Sequence, residues 1–101
     1  MRMLMQVKIP HEPFNSYVKD GTVEAKMKKV LDAIKPEAAY FFAPTGTRGG
    51  IVIVDLTDPS QIPSLAEPWF LTFNADVRIE PCMTPADLAK SGIGQIGKQW
   101  S

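Results

Sequence analysis

His11 is the one histidine of the chain, and its side chain suits acid–base chemistry. An imidazole with an ordinary pKa near ~6.5 can give or take a proton at neutral pH, and the adjacent Glu12 carboxylate can orient the ring. The alternative is an exposed histidine in a loop after a strand. The residue type therefore makes His11 a candidate catalytic residue, and Arg78 is the second.

Arg78 lies in a segment of alternating charged and apolar residues, Asp76-Val77-Arg78-Ile79-Glu80. In an extended strand the three charged side chains share one face. Inside a cavity, an arginine there can hold a carboxylate through two parallel hydrogen bonds. The alternative is a solvated or dimer-interface face, where these charges pair with Gln6 and Lys8 of a neighbouring strand.

A set of aromatic side chains offers the apolar surface that a flat organic ligand needs. We expect a ligand between the helices and the sheet, against this aromatic wall, with His11 or Arg78 as the polar contact. The alternative is that the aromatic residues form the core of a small domain. The expected ligand-binding residues are Tyr40, Phe42, Trp69, Phe73 and Arg78.

Metal and phosphate chemistry are not favoured by the residue types. Cys82 and His11 offer too few soft ligands for an ordinary zinc site, so no metal is expected. The glycine-rich segment 45–50 lacks the lysine and the following helix of a phosphate-binding loop, which favours a turn between strands. Arg48 in that turn is a candidate contact for an anionic ligand. No cofactor is expected.

Length and charge exclude several classes of protein. The 101 residues predict one domain, 1–101. The chain has 11 basic and 11 acidic residues, so no net field attracts nucleic acid or anionic lipid. No apolar stretch approaches the ~20 residues of a membrane span. A single cysteine is typical of a reducing compartment, which predicts a cytoplasmic protein.

The candidate residues must be positioned by a small set of strands and helices. Helical spacing from Phe14 to about Lys35, broken near Gly21, predicts a divided first helix. A second helix begins after Asp58, and prolines 63 and 68 predict that it is broken or short. Period-two alternation or β-branched and aromatic composition predicts strands at 2–9, 38–43, 51–56 and 75–80.

The C-terminal segment predicts a helical arm over residues 83–101. Thr84-Pro85-Ala86-Asp87 combines a capping residue, a proline and an acid at the third position, which is typical of a helix start. The glycines at 92, 94 and 97 predict that this helix frays within two turns.

The order β-α-β-β-α-β predicts a ferredoxin-like α+β domain. Two right-handed crossovers place both helices on one face of a four-stranded antiparallel sheet. The other face, with its apolar second and third strands, has too much apolar surface for water. We therefore expect a homodimer through the sheet faces.

Three stretches resemble the dimeric α+β barrel superfamily. They are residues 3–9, which resemble its first strand, residues 49–55, which resemble its third strand ending in an acid, and residues 69–82. Similar segments occur in muconolactone-isomerase-like proteins and in the family called domain of unknown function 3303. The resemblance implies a dimeric α+β barrel that binds small aromatic or lactone-like compounds. It transfers no catalytic residue, because the matching stretches contain no histidine.

The sequence thus predicts a homodimeric small-molecule-binding protein. Cofactor-free isomerase or monooxygenase-like chemistry on a small hydrophobic or aromatic compound is the corresponding enzymatic hypothesis. The alternative is a non-catalytic module that senses a metabolite or supports an assembly. A pocket of about 300 Å³ or more with convergent polar groups favours the first hypothesis, and aromatic residues packed on one another favour the second.

Overall fold

A computed structural model describes all 101 residues as a ferredoxin-like α+β fold, as predicted. The helices are α1 (Phe14–Asp20), α2 (Val23–Ile34), α3 (Ile62–Phe73), α4 (Pro85–Lys90) and α5 (Ile93–Gln99), with a 3-10 turn at Pro59–Gln61. The strands are β1 (Arg2–Ile9), β2 (Ala38–Phe42), β3 (Arg48–Asp55) and β4 (Asp76–Pro81). No helix has the length and apolar character needed to cross a membrane.

The strands form one antiparallel sheet in the order β2-β3-β1-β4. β1 pairs with β3 from Arg2 opposite Asp55 to Ile9 opposite Arg48. β3 and β1 are the central strands. β2 and β4 are the edges.

The two faces of the sheet differ because successive side chains of a strand point to opposite sides. The face covered by α1, α2 and α3, here called the closed face, carries the hydrophobic core. Its buried strand residues are Met3, Met5, Val7, Ile9, Val52 and Val54. The opposite face, here called the open face, has no helix on it. Its residues are Leu4, Gln6, Lys8, Tyr40, Phe42, Ile51, Ile53, Asp76, Arg78 and Glu80.

The predicted break in the first helix is confirmed. Gly21 has a left-handed φ of 79°, which ends α1, and α2 begins two residues later. An Asp20 carboxylate oxygen accepts hydrogen bonds from the Thr22 backbone N–H at 2.9 Å and from the Thr22 hydroxyl at 2.6 Å. This turn separates the two helices.

The predicted break in the second helix is wrong, because α3 runs for 12 residues with Pro68 inside it. Pro63 lies in the first turn, where no N–H donor is needed. An internal proline costs about 3 kcal/mol. Burial of Trp69 and Phe73, each worth about 1.5–3 kcal/mol, offsets that cost. Phe70, next to Trp69 in the same helix, is exposed.

The turn before β3 is shorter than predicted, since β3 begins at Arg48 and not at Ile51. Gly46 alone among the glycines of this segment has a positive φ. Gly49 and Gly50 lie within the strand, where an added Cβ at either would meet a neighbouring backbone carbonyl oxygen at 2.7 Å. These two glycines therefore allow close approach of β1 and β2.

The C-terminal arm, residues 83–101, contains two helices. Thr84 and Asp87 form the predicted capping box at the start of α4. As predicted, this helix ends within two turns, at Lys90. The second helix was not predicted; Gly92, with a left-handed φ of 74°, is its N-cap. The arm projects from the body, and the chain measures 59 × 29 × 18 Å, with a radius of gyration of 16.9 Å. A compact chain of this length has a radius of about 13 Å.

Candidate functional site

The expected aromatic wall is not brought together. Trp69 and Phe73 are 0% exposed in the core of the closed face. Tyr40 is 69% exposed and lies opposite Ile51 on the open face. The expectation of one wall between helices and sheet is therefore wrong, because the alternation of β2 places Tyr40 on the side without helices.

Trp69 and Phe73 pack within an aromatic cluster that fills the space between helices and sheet. The ring centroid of Phe73 lies 6.1 Å from Trp69, 6.1 Å from Tyr17 and 5.4 Å from Phe14. The Tyr17 hydroxyl donates to the Thr72 carbonyl oxygen at 2.9 Å. For these two predicted residues, the structure matches the alternative of a packed core.

Arg78 lies on a polar half of the open face. It is opposite Gln6, and Asp76 is opposite Lys8, in the cross-strand arrangement expected from the sequence. Arg78 also lines a small groove of about 240 Å³ beneath the loop that contains Pro44.

His11 lines a separate polar groove of about 370 Å³ at the end of the sheet. The groove is lined by Lys8, Pro10, His11, Thr47, Asn74 and Asp76. Lys8 and Asp76 also line the groove that contains Arg78, so the two grooves are neighbours. The two candidate catalytic residues therefore stand in adjacent grooves and not in one site. No group of three or more His, Cys, Asp or Glu side chains is placed to hold a metal ion.

An apolar groove of about 450 Å³ opens between α1, α2 and the adjoining ends of β2 and β3. We call it the Arg48 groove. It is lined by Ile9, Phe14, Met27, Phe41, Phe42, Ala43, Arg48 and Gly49. Arg48 is the one charged residue among them. Phe42 is the one residue of the predicted ligand-binding set that lines this groove.

The Arg48 guanidinium is held in place by two neighbours on α1. Its central carbon lies 4.5 Å from the centroid of the Phe14 ring, a cation–π distance. Its Nη1 donates to the Asn15 side-chain oxygen at 2.7 Å. Both contacts fix the planar group, which reduces the entropy it loses when it binds a ligand.

Arg48 forms no ion pair. The four ion pairs of the chain involve the N-terminus with Asp55, Arg2 with Glu37 and Asp87, and Lys28 with Asp32. An arginine has five N–H donors, so most of those on Arg48 remain free after the bond to Asn15. The groove thus presents an unbalanced positive charge beside apolar walls.

Local sequence explains why α1 starts beside Arg48. Ile9 ends β1 directly opposite Arg48, the first residue of β3. Residues 10–13 alone connect β1 to α1, so Phe14 and Asn15 begin α1 close to that strand pair. Sequence reasoning named Arg48 as a candidate contact for an anion but missed Phe14, Asn15 and Met27 as its neighbours. The sequence signal that could have indicated them was a helix start after Pro13 with an aromatic residue, Phe14, and an amide residue, Asn15.

Hydrogen bonds at turns and caps shift the pKa of three carboxyl groups. The side-chain and backbone donors of Thr22 lower the pKa of Asp20, and those of Ser60 lower the pKa of Asp58. The backbone and side chain of Thr84 lower the pKa of Asp87, with a smaller contribution from the Arg2 charge. These carboxylates stabilise local structure outside the three grooves.

No family model matches the chain, and no curated protein sequence matches it. A solved structure that resembles it is 5-chloro-2-hydroxyhydroquinone dehydrochlorinase (TftG) from Burkholderia phenoliruptrix AC1100, in complex with 2,5-dihydroxybenzoquinone. The TM-score is 0.63 at 14% identity, over 85% of this chain and 97% of that one. The likeness shows the ferredoxin-like α+β fold. The finer resemblance to muconolactone isomerases and to domain of unknown function 3303 is not shown.

Proposed function

We propose that this chain is a homodimeric protein that binds a small organic acid with a flat apolar body in the Arg48 groove. The observation that carries the proposal is the fixed, unpaired Arg48 in an otherwise apolar groove. The free N–H donors of Arg48 match the two oxygens of a carboxylate in a bidentate pair.

The walls of the groove suit the remainder of such a ligand. Phe14, Phe41 and Phe42 offer aromatic surface, and the flexible thioether of Met27 adapts to an irregular shape. The volume of about 450 Å³ falls within the range of roughly 300–1,000 Å³ typical of small-molecule sites. One charged group with apolar walls favours one carboxylate on a largely apolar ring or chain.

The homodimer is proposed from the open face. Tyr40, Ile51 and Ile53 form its apolar half, and no helix of the same chain covers them. A two-fold pairing of two open faces would bury this half in both protomers, which is the arrangement of a dimeric α+β barrel. The solved structure of the same fold holds 2,5-dihydroxybenzoquinone, which supports the binding of small ring compounds by this fold.

Catalysis is a second candidate function, favoured by the grouping of His11, Lys8 and Asp76 around the polar groove. In a cofactor-free isomerisation, His11 would take a proton from one carbon of the substrate and return it to another. The residues of the Arg48 groove include no such base, so the binding proposal does not depend on the catalytic hypothesis. His11→Gln would abolish turnover under the catalytic hypothesis and leave binding at Arg48 unchanged.

The binding proposal is tested by calorimetry with a panel of aromatic carboxylates and their neutral amides. We expect the carboxylates to bind and the amides to bind more weakly. Arg48→Gln should lower carboxylate affinity by roughly 10- to 100-fold, because a hydrogen bond to a charged group is worth about 1.5–3 kcal/mol.

Lys19→Gln is the matched control, since it removes one positive charge from the exposed end of α1. The control should bind as the unmodified protein does. Equal binding of acids and amides, or unchanged affinity in Arg48→Gln, would contradict the proposal. Far-ultraviolet circular dichroism of both variants confirms that each is folded.

A further inference from the structure

The C-terminal arm carries an apolar stripe with no partner in its own chain. Ile93, Ile96 and Trp100 recur at the spacing of one helical face. They are 58%, 48% and 85% exposed. The opposite side of α5 is polar, with Gln95 and Lys98. An amphipathic helix of this kind normally buries its apolar stripe.

The helices of the arm are too short to be stable alone. α4 has 6 residues and α5 has 7. Isolated helices shorter than ~12–15 residues are marginal in water, so their stability comes from packing against another surface. One ion pair joins the arm to its own body, with Arg2 Nη1 3.7 Å from the Asp87 carboxylate. Just before the arm, the Cys82 N–H donates to the Arg2 carbonyl oxygen.

The arm leaves the body beside the open face. Arg2 lies opposite Asp55, in the same side-chain alternation as Leu4 and the other open-face residues of β1. The contact between Arg2 and Asp87 therefore places the start of the arm at the margin of the surface that the proposed homodimer buries. Every residue of α5 is exposed on its own chain.

The open face alone is smaller than the interface that a stable dimer needs. Four strands about 4.8 Å apart and five to eight residues long cover on the order of 400 Å² of planar area. A specific, stable dimer buries about 800 Å² on each partner. The sheet face supplies part of that area, and the exposed stripe of the arm is further apolar surface on the same chain.

We infer that each arm packs on the body of a second copy of this chain, so that the two protomers exchange arms across the dimer. The inference rests on the proposed homodimer. Packing buries Ile93, Ile96 and Trp100 and gives the short helices the surface they require. The arms then contribute directly to dimer affinity.

The test uses the fluorescence of the full chain, which has two tryptophans. Trp69 is buried, and Trp100→Phe isolates its emission, so that subtraction gives the emission of Trp100. At high concentration we expect light scattering to show a dimer and Trp100 to be shielded from iodide quenching. On dilution to monomer, Trp100 should become accessible while Trp69 remains shielded.

Ile93→Ser with Ile96→Ser should raise the dimer dissociation constant by roughly 10- to 100-fold and expose Trp100 to iodide. Gln95→Ser, on the polar side of α5, is the matched control and should change neither quantity. Trp69 emission reports that the body of each variant is folded.

The possible results of this test distinguish the exchange of arms from the homodimer on which it rests. A dimer with fully quenched Trp100 overturns the exchange of arms and leaves the homodimer standing. A monomer at every concentration overturns both. A monomer with shielded Trp100 means that the arm folds onto its own chain, which also overturns the inference.

Discussion

The two faces of the sheet are built from the same strands but differ in burial. Met5 on the closed face is 0% exposed, whereas its neighbours Leu4 and Gln6 on the open face retain exposed surface. Helices α1 to α3 complete the closed face with their apolar sides. The open face is half apolar and half charged, and nothing in the same chain completes it. The difference shows which face serves stability and which is available for association.

The Arg48 groove lies where the two faces meet. Phe41 faces the same side as Val7, on the closed face, and Phe42 faces the same side as Lys8, on the open face. Both line the groove because β2 is an edge strand that ends there. A binding site at such an edge draws walls from both faces and leaves the core undisturbed.

The largest effect on stability is expected from truncating a core residue of α3 that packs on the closed face. Trp69→Ala should lower the free energy of unfolding by about 3–5 kcal/mol, because it removes a fully buried indole and leaves a cavity. Arg78→Ala on the open face should lower it by about 1 kcal/mol or less. Chemical denaturation of the two variants measures the contrast, and similar midpoints would contradict the distinction between the faces.

A charge on the apolar half of the open face should break the proposed dimer and leave the fold intact. Ile53→Lys is expected to weaken dimerisation by roughly 100-fold or more, because an unpaired ammonium group buried in an interface costs several kcal/mol. Ala33→Lys adds the same charge on the exposed side of α2 and should have no such effect. Sedimentation of both variants provides the measurement. A dimeric Ile53→Lys protein would mean that association uses another surface.

The smallest effect concerns the cap of α4 and depends on pH. Thr84 lowers the pKa of Asp87 below its ordinary value of 3.8, so the folded arm favours the ionised carboxylate. The stabilisation is present above that ordinary value and is lost as the pH falls through the lowered pKa. Asp87→Asn should therefore flatten the acid-side loss of helical circular dichroism. An unchanged acid profile would show that the cap does not support the arm.

Several elements could be predicted from the sequence because their causes are local. The alternation from Arg2 to Ile9 gave the bounds of β1, and these bounds are confirmed. Gly21 marked the break between α1 and α2, and the Thr84–Asp87 capping box marked the start of α4. In each case, backbone geometry or a hydrogen bond within a few residues decides the outcome.

Other features of the fold and the site depend on residues that are distant in sequence, so only the tertiary structure decided them. Pro68 remains helical because the sheet and the other helices bury Trp69 and Phe73. The register of β2 against β3 separates Tyr40 from those two side chains, and no local pattern specifies that register. The Arg48 groove joins residues from β1, β2, β3, α1 and α2, so it exists only once the chain has folded. The sequence by itself determined the order of the elements and the residue types, and long-range packing determined which of those residues meet.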